Sequence, residues 1–149
     1  VEDLIQSLQP QLKKTQHQIH IECPADLYIR CPAGAISQIF TNLIMNSLLH
    51  GFDGINSGNM WINITTEHDG EQDLLRIRYS DDGIGIDEQK LNHLFDPFFT
   101  TKRDQGGSGL GTHIVRNLVT QTLKGDINAY SEPGNGLTYE FTFPVIILN

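Results

Sequence analysis

Cysteine is scarce in this chain of 149 residues: Cys23 and Cys31 are too few for a disulfide framework, and they lack the C-x-x-C spacing of a metal or redox motif. Both are expected as buried free thiols. None of the six histidines stands beside Cys or acidic residues at a ligand spacing such as H-E-x-x-H, so a metal site of protein ligands alone is not expected. No apolar run reaches the roughly 18 residues of a membrane span, and no signal peptide opens the chain. Basic residues are few, ten Lys plus Arg against eighteen Asp plus Glu. The resulting charge of −8 argues against a nucleic acid or an acidic membrane surface as partner. Internal repeats and low-complexity tracts are absent. The first residue is Val1, not Met, which leads us to expect a piece excised from a longer protein.

What is present is the composition of one globular domain. The length lies within the roughly 100–200 residues of a single domain, enough to bury about 70% of the unfolded surface around one core. Leu4, Ile5, Leu8 and Leu12 at helical spacing predict a short amphipathic helix ending near Pro10. Ile19, Ile21 and Cys23, then Leu27, Ile29 and Cys31, predict a strand pair around Pro24-Ala25-Asp26 with both thiols on the apolar side. From Pro32 to His50 the pattern is that of a helix apolar almost all round, with Gly51 as its stop. After a polar loop, Phe52 to Asn59, two alternating runs around Ile62 and Ile77 flank an Asp69-Gly70 turn. A short helix from Asp87 to Leu94 and an aperiodic Gly-rich segment follow. A second long helix carries Leu110, Ile114, Leu118 and Val119 on one stripe and stops at Lys124-Gly125. Two further alternating runs, Ile127 to Ser131 and Leu137 to Phe143, end the chain. Strands in runs with helices inserted predict an α+β two-layer sandwich, a mixed and mostly antiparallel sheet with its helices on one face.

Four segments carry chemistry. Asn42 and Asn46 are four residues apart and share a helix face. Two amides on an apolar helix are either satisfied core groups or hard oxygen ligands of a kind Mg²⁺ accepts, and on this helix alone the two readings weigh equally. Asp81-Asp82-Gly83-Ile84-Gly85-Ile86 follows a strand. A carboxylate there suits an exocyclic amine, and glycines leave space for a flat ring, yet Asp-Gly after a strand is most often a turn. Gly106-Gly107-Ser108-Gly109-Leu110-Gly111 opens into a helix, where unpaired N–H groups and the positive end of the dipole bind phosphate. It is neither a Walker A loop nor a dinucleotide fingerprint. Upstream, Leu94-Phe95-Asp96-Pro97-Phe98-Phe99-Thr100-Thr101-Lys102-Arg103 places hydroxyls and positive charge between aromatic anchors and a glycine hinge, as a lid over a polyphosphate needs.

In order and spacing these segments, with Gly134-Asn135-Gly136 and Thr138, resemble the boxes of the ATP-binding catalytic domain of sensor histidine kinases, in the GHKL superfamily with its Bergerat fold. The resemblance runs from about residue 4 to residue 144. It implies that Asn46 coordinates Mg²⁺ between the ATP phosphates with Asn42 assisting, and that Asp81 accepts from the adenine amino group. Gly83, Gly85 and Ile86 would adjoin the ring. Phe99, Thr101 and Lys102 would act from the lid, and Gly107, Gly109, Leu110 and Gly111 would offer backbone contacts to phosphate. Thr138 would support the adenine end through Asp81 or a water. Many members carry a Lys three residues after the magnesium Asn; here Leu49 stands there, followed by His50, leaving Lys102 with His50 or Arg103 to meet the phosphates.

Hydrolytic members of the superfamily, resembling gyrase and heat-shock chaperones, place a Glu four residues before the magnesium Asn. Here that position is Asn42, and an amide is no general base. The resemblance therefore implies transfer of the γ-phosphate to a histidine on a separate dimerisation domain, with a response regulator acted on indirectly. A non-catalytic nucleotide-binding module and a GHKL-type ATPase are the alternatives. His17, His20, His50, His68, His93 and His113 lack the family's acceptor context, so the acceptor is expected upstream. Residues 1–10 are then expected as the remnant of a linker or dimerisation helix and 11–149 as the catalytic domain, on the cytoplasmic side of a parent that is itself membrane-anchored or free.

Overall fold

The computed structural model describes residues 16–148 except Asp26, Asp53, Asn56 and 98–110. The expected opening helix, Leu4 to Pro10, lies outside the described residues. Six strands form a mixed sheet: β1 (Gln18–Glu22), β2 (Ile29–Arg30), β3 (Asn59–Asp69), β4 (Gln72–Asp81), β5 (Asp126–Ser131) and β6 (Leu137–Ile147). Their order is β1-β3-β4-β6-β2, with β5 also paired to β6. Among the described residues only β1 against β3 is parallel; the other pairings are antiparallel. Over one face lie helix α1 (Ala33–Asn46), the short α2 (Glu88–Leu91) and α3 (Gly111–Asn117). Helices α1 and α3 each run on into one wide π turn, Ser47–Gly51 and Leu118–Thr122.

Period-two patterning decides which face the helices cover. Met60, Ile62 and Ile64 of β3, Leu75, Ile77 and Tyr79 of β4, and Tyr139, Phe141 and Phe143 of β6 all point inward and are buried. Against them pack Ile39, Phe40, Leu43 and Ile44 of α1 and Val115 and Val119 beyond Gly111. Burial of each such side chain stabilises by roughly 1.5–3 kcal/mol, and the continuous row across β3, β4 and β6 holds the register. The β3–β4 hairpin turns at Gly70, whose φ is +65°. Asp87 caps α2 by accepting from the Lys90 N–H at 2.8 Å. Lys124, with φ +60°, ends the second long helix where the sequence places its stop.

Three expectations are corrected. The runs around Ile19 and Ile29 do not pair with each other: β1 joins β3 and β2 joins β6, at opposite sides of the sheet. Cys23 falls beyond the end of β1, an edge strand from which only Ile19 reaches the core, and is exposed, while Cys31, just past β2, is half-buried against the core. Finally, of the expected stripe on the second long helix Leu118 and Val119 pack on the core but Ile114 is 38% exposed, and Thr112, Val115 and Leu123 are buried beside them. The Thr112 hydroxyl donates to the Leu94 carbonyl at 2.5 Å, which satisfies it on the inward side.

Candidate nucleotide site

The C-terminal end of β4 brings a carboxylate under the end of α1. Asp81 continues the inward row of Ile77 and Tyr79, so the alternation that builds the core also buries the carboxylate. Its Oδ1 accepts the backbone N–H groups of Gly83 at 3.0 Å and Leu137 at 3.1 Å. Its Oδ2 accepts the Ser47 hydroxyl at 2.7 Å. A carboxylate offers about four acceptor sites, so one remains, on Oδ2. Burial raises the Asp81 carboxyl above its ordinary value, opposed by the bonds from Ser47, Gly83 and Leu137 and assisted by neighbouring Asp82. Asp82 differs in burial and partners. It is exposed, and its two oxygens hold the Asn59 backbone N–H at 2.6 Å and side-chain amide at 3.1 Å.

The glycines around Asp81 admit protein backbone. A Cβ on Gly83 would run into the Gly51 carbonyl, which accepts the Ile84 N–H at 2.8 Å. Gly136, with φ +80°, packs on the Asp81 carbonyl, where a Cβ would overlap it. Gly85, with φ +68°, faces the Glu132 and Gly136 carbonyls. The Ile86 N–H donates to Ser131 Oγ, which donates in turn to the Gly136 carbonyl. The wide turn Ser47–Gly51 makes this possible: by closing Phe52 N–H on the Ser47 carbonyl at 2.9 Å, it drops Gly51 against Gly83 and Asp81.

Asn46 is half-buried at the last position of α1, and its Nδ2 donates to the Tyr139 hydroxyl at 3.0 Å. Its carbonyl oxygen is the group this side chain has to offer a ligand. Asn42 is spent on protein partners: its Oδ1 accepts from Gln38 at 2.9 Å and its Nδ2 donates to the Gly111 carbonyl at 3.3 Å. The two amides therefore divide, one toward the sheet end and one tying α1 to the start of α3. Among the described residues no cluster of His, Cys, Asp and Glu is built to hold a metal ion. A single neutral oxygen suits Mg²⁺, which keeps several waters and draws its remaining ligands from phosphate.

Of the sequence-predicted residues, Asn46, Asp81, Gly83, Gly85, Ile86 and half-buried His50 gather around the end of α1 and the β4 end, with Gly111 reached through Asn42. Thr138 does not join Asp81. It stands opposite Ser80 on the other face of the sheet, and the bond assigned to its side chain comes from the backbone of Leu137. Phe99, Thr101, Lys102, Gly107, Gly109 and Leu110 lie outside the described residues. Sequence reasoning missed Ser47, Tyr79 and Tyr139. The hydroxyls of both tyrosines are buried on the inward face, where each must find a partner. Two inward tyrosines in alternating strands, under a helix ending Asn46-Ser47, were the signal.

Comparison with known proteins places these features in a family. Residues 32–147 match the model described as histidine kinase-, DNA gyrase B-, and HSP90-like ATPase. The chain belongs to this family. Within the family, it is 36% identical over 139 residues to the autoinducer 2 sensor kinase/phosphatase LuxQ of Vibrio vulnificus (strain YJ016), covering 89% of this chain and 16% of that protein. It is 32% identical over 144 residues to sporulation kinase E of Bacillus subtilis (strain 168), covering 96% of this chain and 18% of that one. The chain thus spans less than a fifth of these relatives. Solved structures share the fold: full-length ShkA in complex with AMPPNP has a TM-score of 0.79 at 21% identity, covering 99% of this chain and 29% of that one. The catalytic domain of histidine kinase ThkA has a TM-score of 0.75 at 23% identity, covering 96% and 88%. The α+β sandwich expected from the sequence is the fold these structures share with this member of the family.

Proposed function

We propose that this chain is the catalytic domain of a sensor histidine kinase, which binds Mg-ATP and presents the γ-phosphate to a histidine on a separate dimerisation domain of the same parent. The observation that carries this reading is Asp81: a buried carboxylate with three of its acceptor sites filled by the protein and one left, beside a helix end whose Asn46 carbonyl is available. The free site accepts the adenine amino group. Asn46 holds Mg²⁺, which when bound supplies the positive charge that neutralises the phosphates in an otherwise acidic chain. Asn42 assists by bracing Gly111, where the helix start and its upstream glycines meet phosphate, and Lys102, Thr101 and Phe99 serve as the lid.

With an amide at position 42, hydrolysis lacks a general base there, so the chemistry left to the domain is positioning and charge stabilisation for a nucleophile brought from elsewhere. None of this chain's histidines is that nucleophile. His20 sits on strand β1, not on a helix, with its Nε2 bonded to Asn59 at 2.9 Å. Residues 1–10 connect to the partner domain, 11–149 form the catalytic unit, and the response regulator receives the phosphoryl group from the partner histidine in the cytoplasm. In the test, γ-labelled ATP is mixed with this chain and a dimerisation domain bearing its histidine. Acid-labile label on that domain is the expected result. Tight ATP binding without label would make the chain a nucleotide-binding module, and brisk phosphate release from the chain alone would make it an ATPase.

A further inference from the structure

The Asn46 carbonyl can serve a cation only if something aims it. A terminal carboxamide is nearly symmetric in shape, and a cation accepts one end and is repelled by the other. Asn46 follows the last inward-facing turn of α1, and its Nδ2 is bonded to the Tyr139 hydroxyl at 3.0 Å. Tyr139 is itself fixed: 1% exposed, opposite Tyr79 in the β4–β6 register, with Phe95 edge-on against its ring at 6.2 Å.

The two buried tyrosine hydroxyls have different partners, Ser47 for Tyr79 and Asn46 for Tyr139. The Ser47 hydrogen points to Asp81, and the Tyr79 hydroxyl, 2.7 Å from the same Ser47 oxygen, must then donate to it. Tyr79 and Ser47 thus form a one-way relay of protons directed at the carboxylate. Tyr139 stands apart from that chain: its hydroxyl takes the Asn46 side chain instead. In that bond the amide nitrogen donates and the phenol oxygen accepts, so the tyrosine holds the NH₂ end of the carboxamide and leaves its oxygen as the other end. The two buried tyrosines therefore serve different ends of one site, Tyr79 the carboxylate and Tyr139 the asparagine.

We infer that Tyr139 is a positioning residue that locks the Asn46 carboxamide with its oxygen outward, so that the helix end meets a divalent cation with an acceptor. The inference rests on the reading of Asn46 as the Mg²⁺ ligand.

The test uses the whole chain and ATP, measured calorimetrically with Mg²⁺ and with EDTA, for wild type and for Tyr139→Phe, Tyr79→Phe and Asn46→Ala, each checked for a wild-type-like thermal transition. Tyr139→Phe should cut the Mg²⁺-dependent gain in affinity by roughly three- to tenfold and leave binding in EDTA unchanged. Tyr79→Phe, which removes an equally buried hydroxyl, should change both conditions alike. In the nucleotide-free chain, the Asn46 side-chain NH₂ resonances should exchange faster with water in Tyr139→Phe than in wild type. If Asn46→Ala abolishes the Mg²⁺-dependent gain while Tyr139→Phe leaves it intact, the positioning role is overturned and the ligand role stands. If neither variant alters the gain, the ligand role falls and the positioning role with it.

Discussion

Strands β4 and β6 carry polar groups on both faces, one residue apart, and the two faces use them differently. Inside, Tyr79 stands opposite Tyr139, and their hydroxyls reach Ser47 and Asn46. Outside, Arg78 stands opposite Glu140. Arg76 lies 2.7 Å from Glu67 through its Nε, without a well-aligned hydrogen bond there, and 2.5 Å from Glu140. The outer face has the full charges and the inner face mostly neutral hydroxyls and amides. Yet the inner groups matter more, because desolvation makes every missing partner costly, whereas water and salt screen the outer pairs. The comparison separates the two roles of polar groups in this fold: those inside position a site, and those outside decorate a sheet.

That contrast is breakable in four places. Gly136→Ala combines a left-handed φ with a Cβ driven into the Asp81 carbonyl. It should cost about 3 kcal/mol of stability in urea unfolding. Gly134→Ala has a similar φ in open space and should cost only about 1–2 kcal/mol; equal losses would show that the close approach to Asp81 is unimportant. Next, Ser47→Ala leaves both Asp81 and the Tyr79 hydroxyl short of a partner and should cost about 1–3 kcal/mol in the same assay.

A subtler effect is expected from pH. Because burial raises the Asp81 carboxyl, the folded state holds its proton more firmly than the unfolded state, whose value is near the ordinary 3.8. The stabilisation linked to that proton is fully present below the unfolded value and lost as pH rises through the raised folded value. Unfolding followed across that window should show a falling component in wild type that Asp81→Asn removes; an unchanged slope would mean that the carboxylate is not strained by burial. Glu140→Gln, on the outer face, should change stability by less than about 1 kcal/mol, and less still in high salt. A loss matching that of Ser47→Ala would erase the distinction between the faces.

Much of this was legible in the residues. Alternation in β3, β4 and β6 identified the inward rows, and the order of the Asn, Asp-Gly and Gly-rich segments pointed to a nucleotide. The resemblance names Asp81 and not Asp82, and the two differ in the structure: the period-two row buries position 81 and leaves 82 to cap the strand pair through Asn59. What was not legible depends on long-range contact. The Thr112 bond to Leu94 lets a hydroxyl take an inward place on the second long helix while Ile114 of the apparent stripe stays exposed. The wide turn after Asn46 brought Gly51 to Gly83, so glycines that looked like space for a ring also serve backbone approach. The division of labour between Asn42 and Asn46 follows from Gly111 and Tyr139, 69 and 93 residues away in sequence, and no local pattern encodes it.

The central claim is that the one open acceptor site of buried Asp81 reads an exocyclic amine. Affinity for ATP and for inosine triphosphate, which carries a carbonyl oxygen where adenine has its amino group, measures this with the phosphates held constant. We predict that wild type prefers ATP by roughly ten- to a hundredfold, the equivalent of about 1.5–3 kcal/mol for a hydrogen bond to a charged group, and that Asp81→Asn, folded but presenting an NH₂ at that site, loses the preference. Equal affinity of wild type for the two nucleotides, or a preference that survives in Asp81→Asn, would contradict it.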